Sequence, residues 1–256
     1  MDTSRAGRYL ARIGAEAPAA PDLAGLTALQ HAHLTTVPFE NLSIHLGEDI
    51  VLTEDALFEK IVTGRRGGFC YELNGLFGAL LTALGYRVEL LSCRVFGRDG
   101  VPGTPFAHLT LRVELDRLYL VDVGFGSFSD APLRLDLRTP QDDPAGVFTV
   151  EESGEFLNVL ENGTPGYQID PRPYALSDFV PHCWWHRTSP DSHFTQSLTC
   201  SIRTADGRTT LSGDRLITTA GGERSERTLP APEIVLAAYE SHFGLTFDEV
   251  PVLRLG

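Results

Sequence analysis

The chain is 256 residues long, and its 34 acidic side chains against 21 basic ones leave a formal net charge of −13. That balance argues against a nucleic-acid binder or a protein drawn to acidic membranes, and no apolar run approaches the roughly 20 residues of a membrane span. With 42% hydrophobic and 21% charged residues, the composition is that of a globular protein with a sizeable core in one to three structural units.

Residues 1–85 read as mostly helical. Met1-Asp2-Thr3-Ser4-Arg5 leads into no signal-peptide core. Tyr9, Leu10 and Ile13 place a helix over about 4–13, which Ala17-Pro18-Ala19-Ala20-Pro21 breaks. Asp22 caps a second helix carrying Leu23, Leu26, Leu29 and Leu34, and Pro38 ends it. Thr53 caps a third, with Glu54 and Asp55 suiting the positive dipole end, Leu57, Phe58 and Ile61 as its inner stripe, and Gly64 as its stop. In Arg65-Arg66-Gly67-Gly68-Phe69-Cys70-Tyr71-Glu72-Leu73-Asn74, two glycines end an irregular segment. A fourth helix follows at once, with Leu73, Leu76, Phe77, Leu80, Leu81 and Leu84 on one face and Gly85 as its stop.

From Tyr86 the period changes from 3.6 to 2. A strand over 88–96 is followed by a Gly/Pro-rich loop, 97–105, and then by apolar strands over 106–114 and 118–123, joined near Asp116-Arg117. The triad chemistry set out below requires that turn to be a three-residue loop, or to carry a bulge. A two-residue loop would turn His108 and Asp122 to opposite faces. Weaker strands over 148–151, 155–160 and 166–169 complete an antiparallel sheet or small barrel. Residues 171–190 read as irregular, 194–228 as more strands with a turn at Ala205-Asp206-Gly207, and 232–243 as a helix with Gly244 as its stop.

Cys70 thus falls in the first turn of a buried helix. Unpaired N–H groups and the helix dipole favour a thiolate there, and the glycines let backbone or substrate come close. Taken alone, the position suits a small buried hydrophobe equally well. The other three cysteines, Cys93, Cys183 and Cys200, are widely spaced, with no C-x-x-C pair. That spacing indicates free thiols in a cytosolic protein rather than a zinc site or a disulfide framework, and no metal is expected. A nucleophilic thiol needs a base, and the base needs an orienting group. Phe106-Ala107-His108-Leu109 puts His108 in a strand. Val121-Asp122-Val123-Gly124-Phe125-Gly126 puts Asp122 at the end of the next, where a carboxylate in an apolar strand must be paired. The three together fit a Cys-His-Asp triad.

These segments resemble the arylamine N-acetyltransferase family. Arg66-Gly67-Gly68-Phe69-Cys70-Tyr71-Glu72-Leu73-Asn74 looks like its nucleophile motif, and the His108 and Asp122 segments resemble its second and third motifs in the same order. Val37-Pro38-Phe39-Glu40-Asn41-Leu42 and Thr188-Ser189-Pro190-Asp191-Ser192-His193-Phe194 match further family segments. The resemblance covers nearly the whole chain. It implies an α+β fold in three parts: a helical bundle (1–85), a central antiparallel β-barrel (86–190) and an α/β lid (191–256), around a core like that of cysteine proteases. It also implies ping-pong acyl transfer from acetyl-CoA, as a substrate and not a bound cofactor, to an aromatic amine, hydrazine or N-hydroxyarylamine, in a cytoplasmic enzyme of xenobiotic metabolism.

On the same resemblance, Cys70 is the nucleophile, His108 the base and Asp122 its orienting group, with the Tyr71 N–H and a strand amide as oxyanion donors. Phe39 and Phe125 would line the acceptor pocket, and Thr104, Gly124 and Gly126 would flank the pantetheine arm. Arg66 and Glu40 suit a structural ion pair. Arg94, Arg98 and Arg215 are the candidate cations for the anionic donor on an acidic surface. The same triad serves macrolactam amide synthases, and its geometry also serves cysteine hydrolases, so both stand as alternatives beside a binding module that keeps only the fold.

Overall fold

Asp2 and Asp22 each accept a hydrogen bond from the backbone N–H three residues on, and so start α1 (Thr3–Ile13) and α2 (Leu23–Thr36) in the computed structural model, which describes residues 1–254. After Pro38 come a two-residue strand, β1 (Phe39–Glu40), and a short α3 (Leu42–Leu46). Thr53 caps α4 (Glu54–Phe58) as the sequence suggests. The helix then widens into one π-turn over Glu59–Thr63, closed by the Gly64 N–H on the Glu59 carbonyl at 2.7 Å. The buried Arg12 guanidinium donates to the carbonyls of Ile61 in this turn, of Thr36 and of Arg65 at 3.1–3.3 Å. At the centre lies α5 (Cys70–Ala83), buried on nearly every side among Tyr9, Leu26, Phe58 and Leu29.

The next strands are β2 (Arg87–Val95), β3 (His108–Glu114), β4 (Leu118–Val121), β5 (Leu133–Arg134), β6 (Gln141–Asp143), β7 (Gly146–Ser153), β8 (Phe156–Glu161) and β9 (Thr164–Tyr174). They form one eight-stranded antiparallel sheet in the order β5-β4-β3-β2-β9-β8-β7-β6. The sheet curls until its edges nearly meet. Gln141 bridges them as a ladder would, accepting from the Arg134 N–H at 2.7 Å and donating to the Arg134 carbonyl at 3.0 Å. Leu91, Cys93, Leu120, Phe148, Val150, Tyr167 and Ile169 fill the inside, while Leu109, Leu111 and Val113 of β3 face the helices. The sequence missed β5 and β6, which are only 2 and 3 residues long.

Glu114 pairs with Leu118 and Leu111 with Val121, so Leu115-Asp116-Arg117 is a three-residue loop and β3 and β4 keep His108 and Asp122 on one face. Both strands are shorter than their apolar runs. Phe106 adopts φ +63°, a left-handed conformation that keeps it out of β3, and the chain leaves the ladder immediately before Asp122.

The stretch expected to be irregular, 171–190, is mostly ordered. It holds the end of β9, a 3₁₀ turn over Leu176–Phe179, and α6 (Val180–Thr188), with Pro181 in its first turn. Only Cys183 and His186 of α6 are buried, so no aliphatic stripe marks the helix. Ser192 then caps α7 (His193–Gln196).

The remaining strands, β10 (Cys200–Thr204), β11 (Gly207–Ser212), β12 (Arg215–Ala220) and β13 (Glu223–Thr228), form a meander. With β1 as its far edge, this makes a five-stranded sheet, where Phe39 pairs with Ser201 and Glu40 with Cys200. The last helix, α8 (Pro232–Phe243), packs Val235, Ala238, Tyr239 and Phe243 against Cys200 and Leu211. Residues of the 1–85 segment therefore edge the sheet of the 191–256 segment, whose last two residues lie outside the described residues.

Candidate active site

Three chain ends converge on one cavity of about 330 Å³: the start of α5, the start of β3 and the turn after β4. Its walls include Phe39, Cys70, His108, Gly124, Phe125 and His186. The Asp122 turn can press against α5 because residue 124 is glycine. A Cβ there would lie 2.7 Å from the Cys70 Cα.

Asp122 is buried and accepts four hydrogen bonds. His108 Nε2 donates at 2.6 Å, Asn74 Nδ2 at 2.9 Å, the Gly124 N–H at 2.9 Å and the Tyr167 hydroxyl at 3.0 Å. Burial resists its ionisation, but the His108 imidazole, Asn74 and the Gly124 N–H outweigh it and hold the carboxyl below the usual aspartate range. With Nε2 engaged by Asp122, the other ring nitrogen of His108 is the one left for a reacting group. Asn74 also donates to the Leu109 carbonyl at 2.7 Å and accepts from the Val123 N–H at 2.9 Å. One side chain of α5 thus clamps both strands that carry His108 and Asp122.

Burial pushes the Cys70 thiol well up from its ordinary value, and the negative Asp122 and nearby Cys183 act in the same sense. The backbone N–H groups of Leu109 and Tyr71 beside the sulfur pull against them. The helix start alone therefore does not set a low thiol pKa here. A thiolate at this depth would need a compensating cation, and the imidazole of His108 lines the same cavity.

The structure brings Cys70, His108, Asp122, Phe39, Phe125 and Gly124 together. Gly126, at φ +88°, sits against the Phe39 ring. Tyr71 is present through its N–H, while its hydroxyl points away to the Phe106 carbonyl at 2.7 Å. Thr104 does not line this cavity. It borders a separate pocket with Phe106, His182 and Trp185. Arg66 does pair with Glu40, at 2.9 Å. Of the candidate cations, Arg94 lies over the Phe156 ring and Arg215 pairs with Glu226.

Sequence reasoning missed Asn74, Tyr167, His186 and the cavity-lining role of His193 and Phe194. Asn74 carried a usable signal, because it lies one helical turn after Cys70 on the same face. Tyr167 carried none. His186 is held by the Ala107 carbonyl at 3.0 Å. Burial lowers its pKa to about 4, against the pull of that carbonyl and with help from His182 and His108.

A family model described as N-acetyltransferase matches residues 22–251. An arylamine N-acetyltransferase of Mycolicibacterium smegmatis is 35% identical over 95% of this chain and 93% of its own length.

The chain belongs to the arylamine N-acetyltransferase family.

Solved structures agree. The arylamine N-acetyltransferase of Salmonella typhimurium superposes with a TM-score of 0.90 at 31% identity, covering 98% of this chain and 94% of the other. That of Mycobacterium marinum, solved in complex with CoA, gives 0.86 at 31% identity over 98% and 94%. As a member of the family, the chain is an acyl-transfer enzyme, and its α+β fold with a nearly closed barrel is that of its structural neighbours.

Proposed function

We propose that this enzyme carries an acetyl group from acetyl-CoA to an arylamine, hydrazine or N-hydroxyarylamine through a thioester on Cys70. The observation that carries the reading is the placement of Cys70, at a buried helix start, in one cavity with the His108–Asp122 pair. The relatives' names and the CoA complex of the Mycobacterium marinum enzyme support the choice of acceptor and donor.

In the first half-reaction His108 takes the Cys70 proton and the sulfur attacks the thioester carbonyl. The N–H groups of Leu109 and Tyr71, which lie beside the sulfur, receive the developing oxyanion. The tetrahedral species collapses with loss of the coenzyme thiolate, which takes the proton from His108. In the second half-reaction the amine nitrogen attacks the Cys70 thioester and His108 removes its proton. The Cys70 thiolate then departs and is reprotonated. Asp122 fixes the ring and stabilises the imidazolium in both halves.

In this reading the 1–85 segment supplies the nucleophile and the 86–190 segment supplies base and orienting group. The 191–256 segment, with α6 and α7, closes the cavity as a lid over a core like that of cysteine proteases. A cytosolic setting is part of the same reading. Intact-mass spectrometry after incubation with acetyl-CoA tests it. One acetyl adduct is expected on the wild type, none on Cys70→Ser, and an added arylamine should discharge it. An adduct that persists in Cys70→Ser, or one that water discharges as fast as the amine does, overturns the reading.

A further inference from the structure

The residues just before Cys70 rest on charges buried beneath them. Glu72, at the third position of α5, accepts the Phe69 N–H at 3.2 Å and so caps the helix that begins with Cys70. Its other oxygen takes the Lys60 ammonium at 2.7 Å, with the Glu72 side chain 1% exposed and that of Lys60 17%. Lys60 reaches it from the π-turn, the one wide turn in an otherwise regular helical run. Beside them, Glu40 holds Arg66 at 2.9 Å and the Leu42 N–H at 2.7 Å.

A carboxylate at this position serves the helix start but opposes a thiolate two residues away. It repels the negative sulfur and shares the same dipole end. Left unpaired and buried, it would also be costly to keep ionised. We propose that Lys60 is a positioning residue for Cys70: its ammonium holds Glu72 in place as the cap of the nucleophile helix and cancels the carboxylate's charge at the sulfur. The inference deepens the reading of Cys70 as nucleophile and rests on it for its catalytic meaning.

Other groups face Cys70: His108 on β3, Asp122 after β4, Cys93 on β2, Cys183 and His186 on α6, His193 on α7, and Tyr71 on its own helix, while Glu40 and Arg66 lie near the Lys60–Glu72 pair. None of these side chains touches Lys60 or Glu72 by a hydrogen bond among the described residues. Changes at this pair therefore act on the sulfur through charge and through the helix start.

The test is the rate of Cys70 alkylation by iodoacetamide against pH, read by intact mass and without acetyl-CoA, so that it can fail independently of the transfer reaction. In Lys60→Met the midpoint should rise by about one pH unit, the size expected for one uncompensated charge near the surface of a protein interior. Glu72→Gln keeps a cap acceptor and leaves the ammonium, so its midpoint should fall. Lys60→Met/Glu72→Gln should return to the wild-type profile. A merely structural role would move both single variants in one direction and the double variant further still. That pattern, or no movement in either, overturns the proposal. Should Lys60→Met fail to fold, the comparison of Glu72→Gln with the double variant decides alone, since adding the Lys60 change must raise the midpoint.

Discussion

At the scale of single residues, Asp122 is buried and held by four donors. Its donors differ in charge and in type, so removing them will not cost function equally. Asp122→Asn must turn an amide N–H toward a side that already donates, and it removes the charge that stabilises the imidazolium. We expect single-turnover acylation of Cys70 to fall about a hundredfold or more, with the fold kept. Tyr167→Phe removes one neutral donor and no charge, a loss of about 1 kcal/mol, so acylation should stay within about tenfold of wild type. A reversed order of the two variants would show that the carboxylate acts as a structural anchor and not through the imidazole. That Cys70, His108 and Asp122 meet was legible from sequence because each sits in a short segment whose neighbours state its environment: glycines before Cys70, apolar strands around His108 and Asp122. Tyr167 was not, since its contact with Asp122 arises only when β9 is placed beside β2, one strand from β3, by a sheet whose order no local pattern encodes.

At the scale of elements, the site depends on lengths. Deleting Asp116 would leave a two-residue hairpin and shift β4 by one position, which turns Asp122 away from His108. The variant should retain antiparallel sheet by circular dichroism and lose acylation, whereas exchanging Asp116 for Asn, at constant length, should keep it. The approach to α5 is equally strict. A Cβ on Gly67 would lie 1.9 Å from the Pro38 carbonyl oxygen, where the chain runs beside β1 with a bridge from Phe39 to Gly68. Gly67→Ala should lower stability by several kcal/mol in urea unfolding, and a loss below about 1 kcal/mol would show that this crossing yields. Helices with an aliphatic stripe, such as α2 and α5, were readable in advance. The helix α6 was not, because its buried face is a cysteine and a histidine, and the π-turn was not, because Glu59–Thr63 differs from a regular helix only in which carbonyl each N–H selects.

At the scale of the whole molecule, two effects of pH oppose each other. With 13 surplus negative charges and a sequence pI near 5.0, acidification relieves repulsion and by itself stabilises the compact state. Buried histidines act the other way: burial lowers His45 and His182 too, and His33 and His186 the most. Burial, with Arg12 nearby, lowers His33 to about 3, and His186 stands at about 4. The rings of Tyr9 and Phe77 pack on His33, and neither of its ring nitrogens has a hydrogen-bond partner among the described residues. In the unfolded chain both histidines titrate near about 6.5. Above that pH neither state binds the extra proton, so nothing is lost. As pH falls from about 6.5 toward 4, the unfolded state takes up protons that the native state refuses, and stability declines. At about pH 5 the cost is about 2 kcal/mol for each histidine. We expect the wild-type urea midpoint to fall between about pH 7.5 and about pH 5, despite the shrinking net charge. His33→Phe, a ring of similar shape with no proton to gain, should lessen that fall by about 2 kcal/mol at about pH 5. A wild-type midpoint that rises over this range, or a His33→Phe profile parallel to the wild type, would mean that surface repulsion and not the buried imidazoles sets the acid limit of the fold.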